Sequence, residues 1–311
     1  MQHGGWGRRT DAPHDEPSDS TRPSSGTDVL APRGQTAGMR SDDGGPLPPS
    51  WAGFRAIADA AGARASASWW DANALEYLDE HGEFLGDDDF VWGPEGLREA
   101  EAGLLGEVAG ARVLEVGAGA AQCSRWLAGR GAHVVASDVA PRMLHAGSAM
   151  NRRLGSRVPL VAADARALPF DSASFDIVFT AFGAIPFVPD AARVHAEVAR
   201  VLRPRGRWVF AVTHPVRWMF PDDPSLDGMT VRRRYFDRAP YVETAADGAV
   251  SYAEYHRTLG DHVRELAGAG FFLEDVVEPE WPAHNDNVWG GWGPERGAYV
   301  PGTAIFVSHL A

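Results

Sequence analysis

One segment gives the strongest structural signal in this 311-residue chain: Val113-Leu114-Glu115-Val116-Gly117-Ala118-Gly119-Ala120-Ala121. Its apolar run predicts a buried strand that ends at Gly-Ala-Gly. Glycine lets the backbone turn sharply and come close to a ligand. The helix that follows points its amide N–H groups at the same place. The segment therefore predicts a Rossmann-like nucleotide site at the carboxyl end of a strand.

The residues around this turn favour S-adenosylmethionine (SAM) over NAD. The dinucleotide fingerprint is G-x-G-x-x-G, whose third glycine allows close packing of helix on strand. This chain has Gln122 at that third position. Glu115 lies two residues before Gly117, where a carboxylate would repel the pyrophosphate of NAD. SAM has no phosphate, and a carboxylate suits its cationic amino group and sulfonium.

Two further predicted strands are followed by acids. The strand His133–Asp138 ends in an acid about twenty residues after the glycine turn, where a carboxylate accepts hydrogen bonds from ribose hydroxyls. The strand at 158–163 is followed by Asp164. Because parallel strands end at one edge of a sheet, both acids are expected beside the glycine turn.

In order and spacing, this set resembles the class I SAM-dependent methyltransferase family: Glu115, Gly117, Gly119, Asp138 and Asp164. In that family the acid after the second strand binds the ribose, and the acid after the third binds the adenine amino group. The resemblance continues through 167–170, 175–179 and 201–206 and covers residues 110–215 well. It implies SAM as the cofactor.

Strands and helices alternate along the core, which predicts an α/β fold with a doubly wound parallel sheet. Predicted strands lie near 112–117, 133–138, 158–163, 175–181 and 207–213, with helices near 122–130, 141–153 and 190–202. Two later strands are predicted at Phe271–Val277 and Thr303–His309. The resemblance implies a Rossmann-like sheet of seven strands, the last of them antiparallel beside the fifth.

The chain before the core divides into two predicted regions. Residues 1–50 are rich in Pro, Gly, Ser, Asp and Thr and have too few apolar residues to offset the entropy of ordering. We predict a disordered tail there, with Met39 as an alternative translation start. Residues 51–110 predict an N-terminal helical cap, with one helix beginning at Ser68 and another over Leu97–Val108.

Residues 111–311 predict the SAM-binding core, with an insertion at about 215–257. Two extended runs around Asp247-Gly248 predict a β-hairpin in this insertion, and the first run contains Arg232–Arg234. In the resembling family, insertions after the fifth strand commonly cover the substrate. The resemblance therefore implies a lid.

The predicted cofactor-binding residues are Glu115, Gly117, Ala118, Gly119, Ser124, Asp138, Val139, Met143, Asp164, Ala165 and Phe182. The resemblance implies that the glycine turn lines the methionine part of SAM, and that Val139 and Met143 pack on the adenine. Plain core packing is the alternative for Met143. Ser124 either donates to the SAM carboxylate or caps its helix.

His214 is the candidate general base, because Thr213-His214-Pro215 follows the fifth strand, at the edge where α/β sites collect. A structural histidine bonded to the backbone is the alternative. A base is needed only if the nucleophile arrives protonated, since alignment alone supplies much of the catalysis.

Six tryptophans form either an aromatic cover over the site or the edge of the core. Three lie in a late Gly/Pro-rich loop and three lie near the cap: Trp281, Trp289, Trp292, Trp69, Trp70 and Trp92.

Composition excludes several classes of protein. The net charge of −13 argues against general nucleic-acid binding. Cys123 is the one cysteine, which excludes an internal disulfide and a cysteine-based metal cluster, and no metal site is predicted. No apolar stretch is long enough to span a bilayer, and residues 1–10 show no secretory signal. We expect a cytoplasmic protein that binds neither membrane nor nucleic acid.

The sequence predicts transfer of a methyl group from SAM to a small-molecule acceptor, with release of S-adenosylhomocysteine. Residues 180–186 do not resemble the Asn-Pro-Pro-Tyr signature of enzymes that methylate bases or glutamine. One alternative is a SAM-binding regulatory or partner protein without transfer activity. Another is an NAD-dependent oxidoreductase, which Gln122 and Glu115 disfavour.

Overall fold

A computed structural model describes residues 51–311. The predicted disordered tail at 1–50 and the alternative start at Met39 lie outside the described residues. In the described part, no helix is long and apolar enough to cross a membrane.

The described residues form ten strands and eight α-helices, here numbered in chain order. The strands are β1 (Trp51–Phe54), β2 (Arg112–Val116), β3 (His133–Asp138), β4 (Leu160–Ala162), β5 (Phe175–Ala181), β6 (Leu202–Thr213), β7 (Tyr241–Thr244), β8 (Val250–Glu254), β9 (Phe271–Val277) and β10 (Thr303–Leu310). The helices are α1 (Asp59–Ala72), α2 (Ala74–Leu85), α3 (Glu99–Ala102), α4 (Gln122–Ala128), α5 (Pro141–Leu154), α6 (Ala191–Val201), α7 (Leu259–Gly268) and α8 (Pro294–Gly297).

Seven strands form the central sheet, in the order β4-β3-β2-β5-β6-β10-β9. Strands β2 to β6 pair in parallel, whereas β10 is antiparallel to both β6 and β9. The predicted α/β fold, with a seven-stranded sheet and its last strand antiparallel beside the fifth parallel strand, is confirmed.

Strand β2, an interior strand of this sheet, is covered on both faces. Leu114 packs in one core cluster with Val194 of α6, whereas Val113 packs in another with Trp126 of α4. Successive side chains of a strand point to opposite faces, and helices on both faces of a parallel sheet favour a continuous apolar run. This burial fixes the end of β2, and hence the glycine turn, at the carboxyl edge of the sheet.

A second sheet of three antiparallel strands, in the order β1-β7-β8, packs against α1. The hydroxyl of Ser66 in α1 donates to the carbonyl of Ala253 in β8 at 2.7 Å. The predicted hairpin turn at Asp247-Gly248 is confirmed, since it joins β7 to β8. The region predicted as a helical cap therefore begins with a strand, β1, that completes this sheet.

Two local predictions are wrong. Arg232–Arg234 does not lie in the hairpin, because the backbone N–H groups of Arg232 and Arg233 donate to the carbonyl of Met219 at 2.7 and 3.1 Å. The helix predicted over Leu97–Val108 is the single turn α3. The next two residues after its C-cap, Leu104 and Leu105, donate their N–H groups to the Glu99 carboxylate instead of continuing the helix.

The helix predicted to begin at Ser68 begins earlier, at Asp59. It is interrupted at Asn73, which separates α1 from α2. The amide and backbone N–H groups of Asn73 both donate to the carbonyl of Trp69, at 2.7 and 3.0 Å. The interruption changes the direction of the chain, and α2 packs against α5.

Candidate functional site

The turn between β2 and α4 requires glycine for a steric reason. Gly117 and Gly119 have φ angles of 69° and 52°, in the left-handed region that glycine adopts without penalty. A Cβ on Gly117 would lie 2.8 Å from the backbone nitrogen of Ala184 and 3.0 Å from the Cα of Gly183. The ends of β2 and β5 therefore touch backbone to backbone at this point.

Glu115 and Ser124 form a buried pair beneath the turn. Glu115 Oε2 accepts hydrogen bonds from the backbone N–H and the hydroxyl of Ser124, at 3.0 and 2.5 Å. Burial raises the pKa of Glu115 to about 7, although these two hydrogen bonds oppose the shift. Ser124 thus ties the first turn of α4 to β2.

Asp138 holds the turn from the neighbouring strand. Its Oδ2 accepts the N–H of Gly119 at 2.7 Å, and its Oδ1 accepts the N–H of Ala140 at 2.8 Å. Burial raises the pKa of this carboxyl, and the backbone hydrogen bonds oppose that shift. Each carboxylate oxygen has a second lone-pair site, so Asp138 retains capacity to accept hydroxyl donors.

Asp164 is engaged by a residue that the sequence analysis missed. Arg166 donates to its carboxylate through Nε at 3.0 Å, Nη2 at 2.6 Å and the backbone N–H at 2.9 Å. The hydrogen bonds from Arg166 lower the pKa of Asp164. An adenine amino group would have to share this carboxylate with the guanidinium.

These residues line a cavity of about 530 Å³ at the carboxyl edge of the central sheet, a size typical of small-molecule sites. Each of the five parallel strands contributes a lining residue at or just beyond its end: Gly117, Asp138, Asp164, Phe182 and Thr213. All predicted cofactor residues line this cavity except Ser124, which is buried against Glu115. The structure thus brings the predicted set together around one space.

The structure does not bring His214 to this cavity. Its Nδ1 accepts the N–H of Val216 at 3.1 Å, and its Nε2 lies 2.8 Å from Glu278 Oε1. Because Nδ1 accepts, the ring proton is on Nε2 and is directed at Glu278. Burial lowers the pKa of His214, although Glu278 opposes the shift. These contacts match the structural alternative, since a general base must reach the proton that it removes.

We expect the change His214→Ala to reduce stability rather than cofactor affinity. It leaves the N–H of Val216 without its acceptor, which costs about 1–3 kcal/mol of unfolding free energy. Urea unfolding and SAM titration measure the two effects. His309→Ala is the matched control, because His309 is paired with Glu274 at a half-exposed site and its loss costs under about 1 kcal/mol. A catalytic His214 would give the opposite pattern, with turnover lost and stability kept.

One part of the cavity, here called the aromatic chamber, is lined by Trp69, Trp70, Trp289, Trp292 and Glu254. The indole of Trp289 stacks on His81, with ring centroids 3.8 Å apart and planes within 5°. Trp292 meets Phe182 edge to face at 5.7 Å.

Trp92 also lines the cavity, so five of the six tryptophans noted in the sequence lie around it. Trp281 does not. Its indole N–H donates to the carbonyl of Asn285 at 2.7 Å, and the ring packs against Gly297. The interpretation as a cover over the site fits Trp69, Trp70, Trp289 and Trp292. Trp92 also fits the alternative, the edge of the core, because it is fully buried in a core cluster with Phe90 and Phe179.

Glu254, at the end of β8, also lines the cavity. It was not among the site residues predicted from the sequence. Its Oε2 accepts the Tyr252 hydroxyl at 3.2 Å, and its Oε1 lies 3.4 Å from the Thr213 hydroxyl. Burial raises the pKa of Glu254 to about 7. A carboxyl with such a pKa can accept a proton at neutral pH. Alternation along β8 places Tyr252 and Glu254 on one face, but which face meets the cavity depends on how the second sheet packs on α1.

A separate buried cluster of His195, His262 and Glu265 has three side-chain atoms within 4.8 Å of one another. The indole N–H of Trp208 donates to His195 Nδ1 at 3.0 Å. Indole is a donor only, so the proton of the neutral imidazole is on Nε2. That nitrogen, 3.9 Å from Glu265 Oε2, has no lone pair for a cation. The cluster does not have the ligand set of a metal site.

Comparison with known proteins agrees with this geometry. Residues 113–206 match a family described as a methyltransferase domain. Demethylmenaquinone methyltransferase of Mycolicibacterium paratuberculosis is 37% identical over 183 residues, which cover 56% of this chain and 73% of that relative. The chain belongs to the class I SAM-dependent methyltransferase family. Members of this family are enzymes, and SAM is their cofactor.

Solved structures agree with this assignment. A SAM-dependent methyltransferase from Mesorhizobium loti is 26% identical, with a TM-score of 0.53 over 70% of this methyltransferase and 100% of that chain. The 1,6-didemethyltoxoflavin-N1-methyltransferase of Burkholderia thailandensis, solved with S-adenosylhomocysteine, shares the fold at 18% identity and a TM-score of 0.53, covering 85% and 94% of the two chains. The alignments with the first curated relatives span 45% to 73% of those relatives' lengths.

The cavity residues of this methyltransferase fit SAM. Gln122, which lines the cavity, has a buried Oε1 with no hydrogen-bond partner among the described residues. This oxygen lies at the start of α4, beside the glycine turn, where it suits a cationic amino group. Gly119 leaves room as well, since a Cβ there would meet nothing closer than Met143 Sδ at 3.9 Å. When bound, SAM supplies a methyl group on a sulfonium, which is activated for in-line displacement.

Proposed function

We propose that this methyltransferase transfers the methyl group of SAM to a small-molecule acceptor, with Glu115, the 117–119 turn, Asp138 and Asp164 forming the cofactor end of the site. The observation that supports this most strongly is the continuity of the cavity. It extends from the glycine turn and Asp138 to the aromatic chamber as a single cavity. A small acceptor in the chamber would lie beside the cofactor end, and alignment of the two reactants supplies much of the catalysis.

The size and the lining of the cavity support a small molecule over a macromolecule. A volume of about 530 Å³ holds a cofactor and a compact ligand, but no folded partner. The curated relative from Mycolicibacterium paratuberculosis is named for a quinone acceptor, demethylmenaquinone. That name supports a flat molecule as the first acceptor to try.

The alternative function, a SAM-binding regulator without transfer activity, accounts less well for the aromatic chamber. Such a protein needs a cofactor pocket but no space for an acceptor beside it. Here Trp289 and Glu254 line the same cavity as Gly117 and Asp138. We therefore retain the alternative only as an outcome of the experiment.

The experiment is formation of S-adenosylhomocysteine by the purified protein from SAM, with and without flat small molecules that include demethylmenaquinol, the reduced form of demethylmenaquinone. We expect acceptor-dependent formation of S-adenosylhomocysteine. Tight binding of SAM, without its formation for any acceptor tried, would favour the regulator.

A further inference from the structure

The lining of the cavity contains more carboxyl groups than cationic groups. Six carboxyl side chains line it: Glu76, Glu80, Glu115, Asp138, Asp164 and Glu254. Among the described lining residues, Arg166 is the one arginine, and it is already paired with Asp164. His81 adds no charge at neutral pH, because burial lowers its pKa to about 4. Away from the glycine turn, where the carboxylate of SAM would lie, an acceptor with a negative charge would lose its hydration and meet no free cation among the described lining residues.

Aromatic rings beside the chamber residues extend its aromatic surface. Trp289 and His81 form a parallel stack, and Trp70 meets Phe187 edge to face with ring centroids 5.0 Å apart. Aromatic walls favour a planar aromatic ligand, and their faces attract a positive charge. Shape and charge therefore select the same class of molecule.

Glu254 is the carboxyl that the second sheet contributes to this wall. Tyr252 orients the carboxyl through Oε2, whereas the contact between Oε1 and the Thr213 hydroxyl is long, at 3.4 Å. Oε1 can therefore accept a stronger hydrogen bond from a ligand. Two further carboxyls that line the cavity, Glu76 and Glu80, lie on α2, the helix that follows α1.

We propose that the acceptor is a flat aromatic molecule without negative charge that presents an N–H or O–H group to Glu254. This inference rests on the proposed function. Glu254 is then a specificity-determining residue, because its ionised carboxylate forms a charge-assisted hydrogen bond with the donor. The aromatic chamber holds the ring, and the carboxyl of Glu254 disfavours a carboxylate or phosphate on the acceptor.

The test is calorimetric titration of the protein saturated with S-adenosylhomocysteine, at pH 8, with three bicyclic probes. They are 4-aminoquinoline, a cation with N–H donors, 2-naphthol, an uncharged O–H donor, and 2-naphthoate, an anion. We expect the first two to bind, and 2-naphthoate to bind at least tenfold more weakly than 4-aminoquinoline. Glu254→Gln should weaken 4-aminoquinoline at least tenfold.

Glu243→Gln is the matched control. Glu243 is a buried carboxyl on the neighbouring strand β7, bonded to the Tyr241 hydroxyl at 2.9 Å, and it does not line the cavity. We expect this variant to bind 4-aminoquinoline within twofold of the unmodified protein. The comparison separates a contact with the probe from a general effect of removing a buried acid.

A second readout is pH. Because burial raises the pKa of Glu254 to about 7, lowering the pH from 8 to 6 neutralises it and should weaken 4-aminoquinoline binding, but not in Glu254→Gln. The other titratable or charged groups that face Glu254 are Tyr241, Glu243, Tyr252, Arg217 and Asp222. Of these, Glu243 also has a pKa of about 7. Binding of 4-aminoquinoline to Glu243→Gln is therefore also measured at pH 8 and pH 6, and its pH dependence should match that of the unmodified protein.

Three results would overturn the inference in a protein that binds S-adenosylhomocysteine: 2-naphthoate binding within threefold of 4-aminoquinoline, unchanged affinity in Glu254→Gln, or no binding of either donor probe. Failure to bind S-adenosylhomocysteine itself would count against the proposed function instead. The same titration series distinguishes the two failures.

Discussion

The change Asp138→Ala lowers SAM affinity by about 1–3 kcal/mol, which is roughly 5- to 150-fold. The carboxylate accepts the N–H groups of Gly119 and Ala140 at 2.7 and 2.8 Å and has lone pairs left for ribose hydroxyls. Its removal would therefore take away the proposed contact with the ribose and also loosen the glycine turn. Calorimetric titration with SAM and with S-adenosylhomocysteine measures the loss.

Asp171→Ala is the control for the loss of one negative charge, since Asp171 lies exposed on the loop before β5. We expect its SAM affinity to stay within twofold of the unmodified protein. Equal affinities in the two variants, with Asp138→Ala still folded by circular dichroism, would place the cofactor elsewhere.

The change Gly117→Ala is expected to cost both stability and SAM binding. An alanine there pays about 1–2 kcal/mol for the left-handed backbone at φ 69°. Its Cβ would also lie 2.8 Å from the backbone nitrogen of Ala184, so β2 and β5 must separate. We expect SAM affinity to fall at least tenfold, because that separation moves the turn that lines the cofactor end.

Comparison with Gly155→Ala isolates the effect of the close contact between residue 117 and Ala184. Gly155 caps α5 with a φ of 68°, and a Cβ there would meet no atom within 4 Å. Thermal unfolding of the two variants therefore compares the same backbone penalty with and without the close contact. If Gly117→Ala proved no more destabilising than Gly155→Ala, the backbone contact between Gly117 and Ala184 would have no energetic weight.

The cofactor end of the site was predictable because its signals are local. A parallel strand places the residues that follow it at the carboxyl edge of the sheet. The apolar runs that lead to Glu115 and to Asp138 therefore already predict that these two acids lie near each other. The sequence could also identify Gly117 as a turn residue. That its Cβ would strike the backbone at Ala184 depends on the pairing of β2 with β5, which sequence patterns do not specify.

The other end of the site was not predictable in the same way. Glu254 lies 41 positions after its contact Thr213, and β1 pairs with β7, a strand nearly two hundred residues later in the chain. His214 was placed on the correct edge of the sheet, but its ring turns toward Glu278. In each case a long-range contact, rather than strand or helix periodicity, determines where the side chain points.

The central claim, that the cavity at the carboxyl edge binds SAM, is tested most directly by calorimetric titration of the purified protein with SAM, S-adenosylhomocysteine and NAD. The geometry of Glu115, Asp138 and the glycine turn predicts binding of the first two in the micromolar range and no response to NAD. Binding of NAD without binding of SAM would contradict it.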